Sequence, residues 1–173
     1  MRSFLLLAAT GLAGCAHVSA PVQPHDEFFA NISRLCGQAF EGRVTSPPVE
    51  ADASFAGKKL IMHVQHCSSD MIRIPFQVGE DRSRTWVVTR ADGRLTLRHD
   101  HRHEDGTEDR VSQYGGDTRT AGTASLDFYA DEFTATLIPA AATNIWTIAV
   151  DANTFRYGLR REGRRFRVEF DLR

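Results

Sequence analysis

Three histidines spaced two apart, His99, His101 and His103, run up to an Asp105-Gly106 dipeptide, and Glu108 follows. Imidazole nitrogens are good ligands for divalent metals, and because histidine titrates near neutral pH they also serve as general bases. Asp-Gly favours a two-residue hairpin turn. With the turn there, His103 opposes Glu108, Arg102 opposes Asp109, His101 opposes Arg110 and His99 opposes Ser112. Side chains alternate along a strand, so the three histidines share one face, which Leu95, Leu97 and Tyr114 continue inward. The expected result is a polar mouth above an apolar interior. Histidines two apart on a strand stand about 6.6 Å apart at the backbone, which permits His99, His101, His103 and Glu108 to share a divalent metal without enforcing it. General-base chemistry, and a solvated hairpin whose histidines pair with Glu108, stay open beside the metal.

Other chemistry leaves no such trace. The chain has no glycine-rich phosphate loop, no Gly-x-Ser-x-Gly elbow and no His-Glu-x-x-His pair. Among many carboxylates, no spacing singles out an acid/base pair. Charge does segregate: residues 100–132 hold nine acids and three arginines, whereas residues 156–173 hold seven arginines and three acids. Solvated outer faces of strands account for most of this, and a basic C-terminal patch facing lipid phosphates is the alternative.

A row of histidines on one face needs a sheet, and the sequence supplies one. From Asp26 to Cys36, Phe28, Phe29, Ile32, Leu35 and Cys36 recur at helical spacing, predicting one helix that stops at Gly37. The period then changes to two. Phe40, Gly42 and Val44 alternate with charged or polar neighbours; Leu60, Met62 and Val64 form a second row, and Ile72, Ile74, Phe76 and Val78 a third. Phe166, Val168, Phe170 and Leu172 alternate with Arg165, Arg167, Glu169 and Asp171. Further strands are expected at 84–90, 94–103, 110–114, 123–129, 133–138, 144–150 and 154–160, joined at Gly79-Glu80-Asp81, Ala91-Asp92-Gly93, Ala130-Asp131 and Glu162-Gly163. Roughly ten short strands without intervening helices predict an all-β fold, an antiparallel up-and-down β-barrel of about eight to ten strands after a short helix. A two-sheet β-sandwich is the alternative. Inward aromatics would supply a ligand wall: Phe76, Trp86, Phe128, Phe133, Trp146, Phe155, Tyr157 and Phe170, with Trp86, Phe128, Trp146 and Tyr157 as the leading candidates. Ordinary core packing explains the same residues.

The N-terminus points to export. Met1-Arg2 precedes an apolar run from Ser3 to Leu12, too short for a permanent span of roughly 20 residues but suited to a signal peptide. The run ends in Leu12-Ala13-Gly14-Cys15, which resembles the lipobox of bacterial lipoproteins. That resemblance implies cleavage before Cys15, lipid on its thiol and, with Ala16 rather than Asp next, an outer-membrane anchor facing the periplasm. The expected organisation is a signal peptide at 1–14, a lipidated tether at 15–27 and one barrel domain at 28–173. Without Arg2 the chain carries 20 basic and 22 acidic side chains, a balance that argues against a nucleic-acid partner. Cys36 and Cys67 remain as an even pair in an oxidising compartment, so a disulfide between them is expected.

The helix leading into Gly37-Gln38-Ala39-Phe40 resembles the start of calycin barrels, the lipocalin and fatty-acid-binding superfamily. Lipocalins carry a Trp two residues after that glycine, whereas the nearest aromatic here is Phe40, so the resemblance implies architecture and not a ligand. The string from His99 to Gly106, with Tyr114-Gly115-Gly116 after it, is also similar to that of uncharacterised exported bacterial proteins. The expected function is a membrane-anchored, non-catalytic module that binds a small or amphiphilic ligand, or an envelope partner. A hydrolase or isomerase at the barrel mouth and a purely structural envelope protein are the alternatives. Labelled palmitate is predicted to enter the wild-type protein and to be absent from a Cys15→Ser variant; label in the variant would remove the anchor.

Overall fold

The computed structural model describes residues 23–173. The segments expected as signal peptide and, for the most part, as tether, with Cys15, lie outside the described residues. Helix α1 (Pro24–Ser33) is followed by ten strands: β1 (Ala39–Val44), β2 (Leu60–His63), β3 (Met71–Val78), β4 (Asp81–Ala91), β5 (Arg94–His101), β6 (Tyr114–Thr118), β7 (Ser125–Ala130), β8 (Ile145–Val150), β9 (Thr154–Arg161) and β10 (Arg164–Asp171). Each pairs antiparallel with its sequence neighbour, and β1 pairs with β10 through Gly42↔Phe170 to Val44↔Val168, closing the barrel. The expected up-and-down barrel is therefore the architecture, and closure leaves no free sheet edge.

The strands alternate as their sequences require. Met62, Val64, Ile72, Ile74, Val88, Leu95, Leu97, Phe128, Ile148, Phe155, Val168 and Phe170 are completely buried, while Arg73, Arg98, Asp127, Arg156, Arg165 and Arg167 lie on the opposite face. Apolar inside and charged outside is the inverse of the pattern of a membrane-spanning barrel. Where strands cross most closely, glycine is required: a Cβ on Gly115 would stand 1.9 Å from the Leu97 carbonyl oxygen, and one on Gly116 would stand 1.7 Å from that of Tyr129.

One end of the barrel is sealed. Phe28, Phe29 and Ile32 of α1 enter the core, and Asp26 holds Arg90 at 2.7 Å while the Arg90 guanidinium lies over the Phe29 ring. The His25 ring nitrogens approach the Gly93 and Thr120 carbonyls of two turns at this end. The Cys36–Cys67 disulfide ties the end of α1 to the β2–β3 connection, as the cysteine count predicted. The helix begins at Pro24, inside the segment expected to be tether, because proline is favoured in a first helical turn.

Two expected strands are corrected. Residues 133–138, expected as strand, form helix α2 (Glu132–Leu137): the Asp131 carboxylate accepts the Thr134 N–H at 2.8 Å and starts the helix, leaving Phe133 half exposed instead of on a ligand wall. Residues 110–113 are irregular, because Asp109 accepts the Val111 N–H and Gln113 has φ of 58°. The histidine hairpin consequently has another register, with Arg102 opposite Glu108 and His99 opposite Tyr114. The turn spans His103 to Thr107 rather than Asp105-Gly106 alone.

The disulfide closes a separation of 31 residues. Urea denaturation of a Cys36→Ala/Cys67→Ala variant is predicted to show a loss of about 3.7 kcal/mol, the amount expected for constraining an unfolded loop of that size.

Candidate functional site

The open end lies opposite α1, and a cavity of about 370 Å³ sits there. Strands β4, β5, β8, β9 and β10 wall it. The 3-10 helix Glu50–Phe55 reaches across from the β1–β2 connection and inserts Phe55, while Ile138, Ala140 and Ala141, following α2, cover another side. Below, the completely buried Val88, Leu97, Phe155 and Phe170 fill the barrel, so the space is confined to the mouth.

A belt of aromatic and imidazole rings crosses this level. Phe76 stacks on Trp86 at 4.6 Å between centroids, and Trp86 stacks on Tyr157 at 4.2 Å. The Tyr157 hydroxyl is 2.6 Å from His99 Nε2, and the Tyr114 carbonyl is 3.0 Å from His99 Nδ1. A carbonyl only accepts, so Nδ1 carries the proton and Nε2 accepts from the Tyr157 O–H. The His99 ring also stacks on Tyr114, whose hydroxyl lies 3.0 Å from His101 Nε2. Burial drives the titration of all four groups. It pushes His99 down to about 3, aided by His101 and Arg98, and moves His101 down as well. It pushes Tyr114 up to about 12 and Tyr157 well above the ordinary phenol value. At neutral pH the belt is uncharged, and its members give and accept hydrogen bonds.

Cationic groups sit at the rim. Arg84 pairs with Asp81, and Arg164 holds the buried Asp52 of the 3-10 helix at 2.5 Å. Arg161 Nη1 donates to the Ala140 carbonyl at 2.6 Å and to Asn144 Oδ1 at 3.2 Å.

Of the residues expected at a site, His99 and His101 point into the mouth, and Trp86, Trp146 and Tyr157 line it. Phe128 is buried in the packed interior and does not line the cavity. His103 is exposed in the turn, with its backbone N–H bonded to the Thr107 carbonyl. Glu108 accepts from Gln113 at 2.5 Å and from Ser112 at 3.3 Å. His99, His101, His103 and Glu108 are thus not brought together, and no group of three or more metal-ligating side chains occurs among the described residues. Arg84, Arg161, Arg164, Asn144 and Phe55 were not anticipated. Alternation carried a signal for the arginines: Phe166 faces inward, so Arg164 does too, and Leu159 implies Arg161 in the same way.

Compared with known proteins, the chain matches no protein-family model, no curated protein and no solved structure.

A neutral buried histidine opposes acid. Its folded value near 3 lies below the unfolded 6.5. Between these, the unfolded chain binds the extra proton, so stability falls as pH drops through that window, by up to about 1.4 kcal/mol per pH unit. The depressed carboxylates Asp81 and Asp131 act in the same direction at lower pH. A His99→Gln variant is predicted to show a shallower loss of stability between pH 6.5 and 4 in denaturant titrations, which isolates the His99 contribution.

Proposed function

We propose that this is an exported, lipid-anchored barrel that binds one small molecule at its open end and does no chemistry on it. The observation that carries the reading is the cavity of about 370 Å³ at the open end of the barrel, lined by aromatic rings and a few converging polar groups. Small-molecule sites have this composition and a volume of roughly 300–1,000 Å³. The filled core below leaves no room for a long acyl chain. Catalysis is disfavoured because His99 spends both ring nitrogens on Tyr114 and Tyr157, leaving neither free for a substrate proton.

Export is supported by the Leu12-Ala13-Gly14-Cys15 motif and by the Cys36–Cys67 bridge, since disulfides persist in oxidising compartments. A lipid on Cys15 would hold the protein at the outer membrane, facing the periplasm. The eight chain steps from Cys15 to Gln23 reach at most about 29 Å. The sealed α1 end would then lie toward the membrane, and the mouth would open away from it.

Native mass spectrometry of full-length protein, extracted from its own envelope in mild detergent, is predicted to show a small-molecule adduct that acid denaturation removes. An Ala140→Trp variant, which fills the mouth from its rim, should lack the adduct. Bare protein in both samples, or an equal adduct in both, would overturn the site.

A further inference from the structure

We propose that the occupant is a small aromatic carboxylate, its ring against the partly exposed Tyr114 and its carboxylate on the Arg161 guanidinium. This deepens, and rests on, the reading of the mouth as a ligand site. The inference starts from the hairpin between β9 and β10. Arg161 and Arg164 are direct cross-strand partners, on the same inner face as Leu159 and Phe166. Like charges directly opposite each other in a sheet are destabilising.

Only one carboxylate answers the two. Asp52 bonds Arg164, and both Arg164 Nε and Asp52 Oδ2 remain buried without a hydrogen-bond partner, so that pair is held by a single contact. Arg161 has only neutral acceptors among the described residues, the Ala140 carbonyl and the Asn144 amide oxygen. Arg84 is matched by Asp81. No Asp or Glu lines the cavity, and its histidines are neutral and add no charge. The mouth therefore keeps one cation without a carboxylate partner among the described residues, partly buried at the rim.

There an oxyanion gains more than it would in water, and the planar guanidinium fork fits a carboxylate. One uncompensated charge suits a monoanion better than a phosphate dianion. The rest of the wall selects the remainder of the molecule. Trp146 is buried behind the His99 and Tyr114 rings, and the partly exposed rings of the lining are Tyr114 and Phe55, so a flat ring packs best against the aromatic face they offer. The volume admits a ring with a short arm.

The chain has two tryptophans, Trp86 and Trp146, and both line the cavity, so tryptophan emission reports occupancy directly. Full-length protein is titrated with benzoate, 4-hydroxybenzoate and cinnamate, each beside its own amide, and with phenyl phosphate and myristate; calorimetry gives the affinities. At least one acid should bind saturably, shift the emission and exceed its amide by tenfold or more. Arg161→Gln should abolish that preference while the amide still binds saturably, which also certifies an intact cavity. Arg165→Gln, on the outer face next to Arg164, should behave as wild type. Equal binding of acid and amide, or tighter binding of phenyl phosphate or myristate, overturns the aromatic-carboxylate assignment and leaves the cavity as a ligand site. Absence of saturable binding by every probe overturns both.

Discussion

Everything at the open end depends on one imidazole staying neutral. His99 sits almost without solvent contact on β5, its Nδ1–H donating to the backbone carbonyl of Tyr114 on β6 and its Nε2 accepting a hydrogen bond from the Tyr157 hydroxyl on β9. Strands β5 and β9 are four steps apart in a ring of ten, so this bond crosses the lumen. A buried ring nitrogen without a partner would cost about 1–3 kcal/mol, and a buried uncompensated charge far more. The two partners therefore fix the tautomer. They also fix where Tyr114 and Trp86 stand, because both stack on members of the same pair.

That arrangement divides the barrel. Toward α1 the lumen is filled with aliphatic and phenylalanine side chains, which with the disulfide hold the fold closed. Toward the mouth the rings become amphipathic, and the last inward positions of β9 and β10 are arginines. A design for stability alone would not place Arg161 opposite Arg164 at the rim of an aromatic chamber. Such a local conflict is expected where a site needs the charge. A barrel fold hosts many activities, so the site and not the architecture carries the functional inference.

Much of this was legible in the sequence. Period-two rows at Leu60–Val64, Ile72–Val78 and Phe166–Leu172 specify strands and their buried faces, and cysteine parity specifies the bridge. The polar mouth above an apolar interior followed from Leu95, Leu97, His99 and His101 sharing a face. The hairpin register and α2 were not legible, for one physical reason. Side-chain carboxylates capture backbone N–H groups there: Asp109 takes that of Val111 and Asp131 that of Thr134, and each overrides the pattern of the segment. The rim arginines lie at inward positions, yet arginine reads as solvated. Arg164 is partly buried by the 3-10 helix Glu50–Phe55 folding over the mouth and Arg161 by the segment after α2, tertiary contacts that no local period encodes.

The most direct test of the neutral, transluminal His99 is its ring nitrogen spectrum. With ¹⁵N-labelled histidine, His99 should show a protonated Nδ1 and a bare, hydrogen-bonded Nε2, unchanged from pH 8 down to pH 5. Substituting Tyr157→Phe should shift the Nε2 signal. A His99 ring that titrates near pH 6.5, or that exchanges between tautomers, would contradict the account.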